Sequence, residues 1–418
     1  MQAQFGWDNA TKGLVLSTFF IGYMLGQIPG GWVATHFGGQ RVFGGGVLAT
    51  AVLTLLVPLC TTGNLLGTGK ASHLGALYAL RIAMGLFESV TYPALFALLR
   101  MWTPFRERST IVSVTFAGAM LGTVVAFPAC GWIIDMKGGK GGKGGKDGKD
   151  GKDWSGNAPG GGGNTEGSWV WVFYSFGAFG VLWFICWCLL IRSAPEFTSC
   201  ISTEEKAYII ATRGVARQLT SKERAAKKEA AAEGERSSST HTAKKGAALK
   251  SSCSSRVRLF WGGAKGFVTE PAAWAIYTAH FASNWSLYTF LTWLPSYMKD
   301  QLHFDLSKAG LLSILPFLAQ CVLGLVGGRI ADLLVTRKCI SLRGARILAT
   351  VISYEVPAGM LCAVGFATTP ATAIALMTAA VGIAGLNYSG YSANVLDIAP
   401  KNAGIFYGVS NTIATIPG

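Results

Sequence analysis

Charge is what this sequence has least of. Of 418 residues, 14% are Asp, Glu, Lys or Arg and 50% are hydrophobic, and the mean hydropathy is +0.39. A soluble domain covers its surface with roughly 25% charged residues, so a soluble globular protein is excluded. The same apolar content excludes a disordered chain. Catalytic signatures are missing as well. The sequence holds no HExxH, no GxxxxGK[ST] and no GxSxG, which removes the usual routes to zinc hydrolysis, nucleotide hydrolysis and serine chemistry. Scattered Asp and His residues give no metal-ligand spacing, so neither a metal nor a cofactor is expected, and the chain does not read as an enzyme. Nine cysteines occur without a CxxC pair. Cys60, Cys186, Cys188, Cys321 and Cys362 sit inside apolar runs and read as small buried residues rather than a disulfide framework. The start, MQAQFGWDNATKG, lacks the charged and apolar regions of a cleavable signal peptide. The end, ATIPG, stops inside an apolar run.

What is present is a series of apolar stretches. A membrane span needs about 20 mostly apolar residues, and ten stretches qualify or nearly so: A 13–35, B 42–62, C 75–99, D 109–134, E 169–192, F 271–297, G 308–334, H 345–367, I 371–397 and J 402–418. This predicts an all-α integral membrane protein. The net charge of +15 does not point to nucleic acid, because the excess lies in loops between apolar runs. Arg41; Arg100, Arg106 and Arg108; a long basic stretch after E; Arg337, Lys338, Arg343 and Arg346; and Lys401 all fall on one side. The positive-inside rule makes that side cytoplasmic. The opposite side carries Lys70, Lys299, Lys308 and MKGGKGGKGGKDGKDGKD at 136–153, followed by a second glycine run at 160–163. The insert lacks the proline of collagen and reads as a flexible low-complexity loop. In the E–F loop, SKERAAKKEAAAEGER reads as an exposed charged helix or linker.

An internal repeat is visible. Segment A ends GGWVATHFGGQRV (30–42) and segment G ends GGRIADLLVTRK (327–338). Each pairs Gly-Gly with an apolar stretch and a basic turn, and each follows glycines four apart: Gly22, Gly26 and Gly30, or Gly324 and Gly328. Such spacing lets helices approach closely. Two homologous halves follow, an N-terminal bundle over 1–192 (with the low-complexity loop at 136–168) and a C-terminal bundle over 271–418. A basic cytoplasmic linker over 193–270 joins them. This is a transporter architecture.

Charges inside a membrane are costly and are functional candidates. Arg81 and Glu88 lie about two helical turns apart in segment C, with Tyr92 on the same stripe. Either Arg81 binds an anion while Glu88 carries a coupling proton or releases Arg81, or the two form a structural ion pair. Tyr23 and Gln27 share a face of segment A, in a cavity or in helix packing. Segment F places His280 and Asn284 on one face with Tyr288 beside them. His280 is either titratable near neutrality or a satisfied hydrogen-bonding group. Segment I carries Asn387, Tyr391 and Asn394 at helical spacing, with Asp397 near the cytoplasmic end as a gate or cap. Glu355, before Pro357, is expected at the solvated interface.

These residues resemble the major facilitator superfamily, whose cytoplasmic signature is Gly-x-x-x-Asp-Arg-x-Gly-x-Arg/Lys-Arg. The first copy keeps Gly31, Gly38 and Arg41 but has Thr35 in place of Asp. The second keeps Asp332. STFFIGYMLGQIPGG (17–31), RIAMGLFESVTYPA (81–94), WTPFRERS (102–109), HFASNWSLYTFLTWLPSYM (280–298) and NVLDIAPKNAGIFYGVSNTIATIPG (394–418) are similar to the anion–cation symporter family, which includes sialin, vesicular glutamate transporters, sodium–phosphate cotransporters and plastid phosphate transporters. The resemblance implies a two-bundle fold of twelve helices, of which about ten are expected here, with the first helix missing and the C-terminal end incomplete. It matches Arg81 and Glu88 to the family's transport arginine and glutamate, and Tyr23 to a cavity tyrosine. It gives Tyr92, His280, Asn284, Tyr288 and Asn394 as substrate-binding candidates, and Gly31, Arg41, Asp332 and Asp397 as gating candidates.

The expected function is secondary active transport of inorganic phosphate or a small organic anion by alternating access, coupled to a proton or sodium gradient. The alternatives are a carrier of sialate, ascorbate or dicarboxylates, and a fragment that does not transport. The expected partners are the anion, the coupling ion and the bilayer, with no nucleic acid, and the chain is expected to be a monomer. Plastid envelope, vesicle or lysosome, and plasma membrane all remain open as locations.

Overall fold

The computed structural model describes residues 7–61, 70–138, 168–213, 267, 269–301 and 312–418. Among them every regular element is a helix. The first bundle comprises α1 (Asn9–Phe37), α2 (Gly39–Thr61), α3 (Lys70–Glu88), α4 (Thr91–Trp102), α5 (Arg108–Gly138) and α6 (Ser168–Leu190). A short helix, α7 (Thr203–Thr212), follows. The second bundle comprises α8 (Pro271–Asp300), α9 (Ile314–Thr336), α10 (Leu342–Val364), α11 (Pro370–Ala384), α12 (Tyr391–Ile398) and α13 (Ala403–Ala414). The 136–153 insert beyond Gly138, the 160–163 glycine run and SKERAAKKEAAAEGER all lie outside the described residues.

All ten apolar stretches are helical where described, and among the described residues eight are long and apolar enough to cross a membrane. Segment F is long enough but more polar, and segment J forms a helix of 12 residues. Side-chain caps set several starts. Asp8 accepts the Thr11 amide at 2.9 Å, Ser341 the Gly344 amide at 3.0 Å and Thr369 the Thr372 amide at 3.2 Å, each satisfying an orphan donor of a first turn. Gly38 ends α1 at φ +93°, a conformation only glycine adopts without strain.

The glycine spacing is spent on helix contact. A Cβ on Gly22 would lie 2.0 Å from the Ile82 carbonyl oxygen, and one on Gly85 would lie 2.0 Å from that of Phe19. The α1 and α3 backbones therefore touch over this stretch. Between the bundles, α1 packs on α13 and α5 packs on α9.

Two stretches read as continuous are interrupted. Segment C breaks at Ser89–Val90, where the Ser89 and Thr91 hydroxyls donate back to the Leu86 and Glu88 carbonyls at 2.6 and 2.7 Å. Pro93, inside the next turn, has no amide to continue the ladder. Tyr92 therefore does not share one unbroken helical stripe with Arg81. Segment I breaks through a 3-10 turn, Gly385–Tyr388, before α12, so Asn387 and Asn394 belong to different elements. Glu355 also departs from expectation. Ser341 caps α10, which places Glu355 about 20 Å along a helix rising 1.5 Å per residue. It is exposed near the middle of the helix, not at its end.

Candidate functional site

The loops rich in arginine gather at one end of the molecule and close it. Asp332 is buried, and its carboxylate accepts the backbone amides of Ser109 and Thr110 at 3.1 and 2.7 Å. These are the first turn of α5 in the opposite bundle, where the helix dipole favours negative charge. Asp397 joins two arginines. Arg108 donates to it at 2.7 Å and Arg346 at 2.8 Å, with the arginine side chains only 3% and 5% exposed. Arg346 also donates to Ser109 Oγ at 2.6 Å and to the Ser389 carbonyl at 2.8 Å. Arg100 donates to the Lys401 carbonyl across the same seam.

The other expected gate residues fall into two groups. Gly31 is in the seam, where a Cβ would lie 2.6 Å from the Gly404 carbonyl oxygen. Arg41 is exposed at the start of α2 and takes part in none of these bonds.

Behind this end lies an aromatic layer drawn from both bundles. Phe96 stacks on Tyr407 with ring centroids 4.1 Å apart, Phe116 on Tyr388 at 4.9 Å, and Tyr92 on Phe116 at 5.8 Å. His280 is 2% exposed, sits 5.2 Å from the Tyr407 ring and 5.4 Å from that of Tyr391, and shares a 2.9 Å hydrogen bond between Nδ1 and Ser410 Oγ. It is a satisfied histidine in this state. Tyr23 accepts from Asn411 Nδ2 at 3.2 Å, across the α1–α13 seam. Gln27, one turn on, is fully buried with neither side-chain atom bonded.

Farther from the basic end the picture changes. Gly85, one turn beyond Arg81, packs on the backbone of Phe19 and Tyr23, and the Phe20 ring meets Tyr288 edge-on at 5.6 Å. Arg81 is half-buried at this level. Among the described residues no carboxylate lies within ion-pair distance of it, so Arg81 and Glu88 do not form the structural pair. Asn284 is half-buried on α8 beside Ser283, whose oxygen accepts Asn387 Nδ2 at 2.8 Å. Asn394 is half-buried on α12, closer to the basic end. The structure thus joins Tyr23, Tyr92, Tyr288 and His280 to the seam between the bundles, and keeps Arg81 and Glu88 apart from one another.

Sequence reasoning missed the burial of Arg108 and Arg346, which count as loop charges in a topology argument. Their position at the edge of apolar stretches D and H, beside Ser109 and Ala345, was the available signal. It also missed Phe96, Phe116, Tyr388 and Tyr407, whose hydropathy does not separate them from lipid-facing residues.

The arrangement of two helical bundles around a seam with one closed end has known counterparts. The proton:xylose symporter XylE aligns with a TM-score of 0.62 over 99% of this chain and 79% of its own, at 13% identity. The fucose transporter FucP in its outward conformation aligns at 0.55 over 99% and 82%, at 16% identity. At such identities the likeness shows the fold alone. The Major Facilitator Superfamily model matches residues 1–418. The chain is thus a major facilitator: a multi-pass membrane protein and secondary transporter, and not an enzyme.

Sialin of Ovis aries is 35% identical over 416 residues, covering 99% of this chain and 68% of sialin, and sialin of Homo sapiens is 34% identical with the same coverage. Vesicular glutamate transporter 3 of Danio rerio is 32% identical over 100% of this chain and 58% of its own length. Within the superfamily, the chain belongs to the anion–cation symporter family.

Proposed function

We propose that this transporter carries a small anion by alternating access, with Arg81 as its anion-binding cation. The observation that carries the reading is a half-buried arginine in a membrane-spanning helix with no carboxylate partner among the described residues. A desolvated guanidinium needs a counter-charge, and an anion accepting its planar fork supplies one. The names of the relatives, sialin and vesicular glutamate transporter, agree with an anionic cargo.

The substrate is inorganic phosphate or a small organic anion such as sialate, ascorbate or a dicarboxylate, and the coupling ion is a proton or sodium. Glu88 serves the proton-coupled case, since it lies about two helical turns from Arg81 and pairs with no cation among the described residues. Tyr23, Tyr92, Tyr288, Asn284, His280 and Asn394 orient the cargo or reorganise as the bundles rock. Gly31, Arg41, Asp332 and Asp397 serve the gate.

The test is uptake into proteoliposomes of phosphate, sialate, ascorbate and succinate, with proton, sodium and voltage gradients imposed one at a time. Saturable uptake driven by one gradient and abolished by Arg81→Ala is expected. Wild-type uptake surviving in Arg81→Ala would remove Arg81 from the site. Loss of acceleration by a proton gradient in Glu88→Gln, with exchange retained, would assign the coupling to Glu88.

A further inference from the structure

We infer that the second bundle holds a chamber for the uncharged, hydroxyl- or amide-bearing part of an organic anion; this rests on the anion-carrier reading above and narrows it to organic substrates. The chamber measures about 200 Å³ and lies among α8, α9, α10 and α11, apart from the seam residues already described. Its polar wall is formed by Ser283, Ser286, Gln320, Ser353, Tyr354 and Asn387. The remainder is apolar, including Phe290, Phe317 and Leu361.

Two of the polar groups lack something. Gln320 and Asn387 are 7% and 3% exposed, yet Gln320 Oε1 and Asn387 Oδ1 have no hydrogen-bond partner. Three of the neighbouring donors are already engaged. Asn387 Nδ2 donates to Ser283 Oγ at 2.8 Å, Ser353 Oγ donates to the Thr350 carbonyl at 2.8 Å, and Tyr354 donates to the Ala279 carbonyl. The wall therefore leaves two buried acceptors open to a ligand donor. Leaving a buried acceptor unmade is costly, so a ligand group bearing O–H or N–H is favoured there.

Three other occupants fit less well. An anionic group would face carbonyl-type oxygens and no cation, since the chamber's lining includes no charged residue. A single monovalent cation would suit neutral oxygens but would leave most of an apolar chamber empty. A purely apolar group would leave both amide oxygens unsatisfied. A mostly apolar pocket with a few placed polar groups is the usual form of a small-molecule subsite.

The experiment measures binding of glucuronate, hexanoate, inorganic phosphate and sodium to the purified full chain by intrinsic tryptophan fluorescence. Hexanoate matches glucuronate in carbon count and lacks its hydroxyls. The wild-type protein should prefer glucuronate over hexanoate by at least about tenfold, because hexanoate leaves the buried amide oxygens unpaired. Gln320→Met and Asn387→Leu should each bring that ratio close to one. Ala384→Leu, which fills the chamber from its apolar side and keeps both amides, should do the same and guards against a folding defect in the polar variants. An unchanged ratio in all three variants would assign the chamber to bound water and overturn the proposal. Competition between sodium and glucuronate that vanishes in Gln320→Met would overturn it in favour of an ion site. Arg81→Ala separates the two readings. It should weaken every anion alike, whereas failure of wild type to bind any anion would sink the carrier reading and this subsite together.

Discussion

The two copies of the Gly-Gly turn meet the opposite bundle differently. In the second copy, Asp332 reaches the first turn of α5 and accepts two backbone amides. In the first copy, the equivalent Thr35 lies beside the first turn of α13, and its hydroxyl is already committed to the Gly31 carbonyl at 2.8 Å. The first turn of α13 contains no acidic residue, and the side chain of its N-cap, Asn402, makes no capping bond. The glycine contact is kept in both copies, Gly31 against Gly404 and Gly328 against Ser113. At its Gly-Gly turn, one seam is thus held by close packing and a carboxylate, and the other by close packing without one. The closed end is a lopsided latch, and its charge contacts are concentrated around the first turn of α5.

That asymmetry can be broken most severely at Asp397. Asp397→Ala leaves Arg108 and Arg346 buried and facing each other without a counter-charge, a change worth about 3–5 kcal/mol. A large fall in thermal stability in detergent is expected, and an unchanged melting temperature would show that the arginines find water instead. Asp332→Asn comes next. It removes the charge from the α5 N-terminus at a cost of about 1–3 kcal/mol. Faster maleimide labelling of Ser113→Cys, buried under Gly328, in an otherwise cysteine-free background should report the loosened seam.

Thr35→Asp would sharpen the comparison by making the copies alike. A carboxylate at the α13 N-terminus should stabilise the closed end by about 0.3–1 kcal/mol and slow labelling of the same reporter. Faster labelling would mean that the packed seam has no room for charge.

The smallest effect concerns Glu196, outside the spanning helices. Its hydrogen bond to Arg213 holds its carboxyl below the usual carboxylate range. A depressed carboxylate stabilises above its unfolded pKa and loses that contribution as pH falls through the folded value. Protection of α7 against hydrogen exchange, corrected for intrinsic rates, should therefore stay level from neutrality and fall only below about pH 4. Glu196→Gln should remove that acid step.

Much of this was legible in the residues. Glycines four apart announced a close helix contact, which the structure places between α1 and α3, because only small residues allow backbones so near. Asp332 and Asp397 stood out in the sequence as carboxylates at the ends of apolar stretches. Less legible was the break at Ser89–Val90. Ser and Thr pass as neutral in a hydropathy profile, while their hydroxyls compete locally for backbone carbonyls. The continuous helix expected from Arg81 to Tyr92 is interrupted for that reason. Glu355 was misplaced because depth depends on where a helix is capped, and Ser341 was not read as the cap. The aromatic layer was invisible because ring stacking between Phe96 and Tyr407 joins residues from different bundles.

The segment after α6 has a mechanical consequence. Trp102 donates to the Arg192 carbonyl at 3.0 Å, Tyr208 to Glu107 at 3.2 Å and Arg213 to the Met101 carbonyl at 3.3 Å. These contacts rivet the stretch up to Arg213 onto the α4–α5 corner. In a rocking motion it travels as ballast with the first bundle. Shortening the chain between α6 and Arg213 should therefore loosen the rivet and free this ballast from the first bundle.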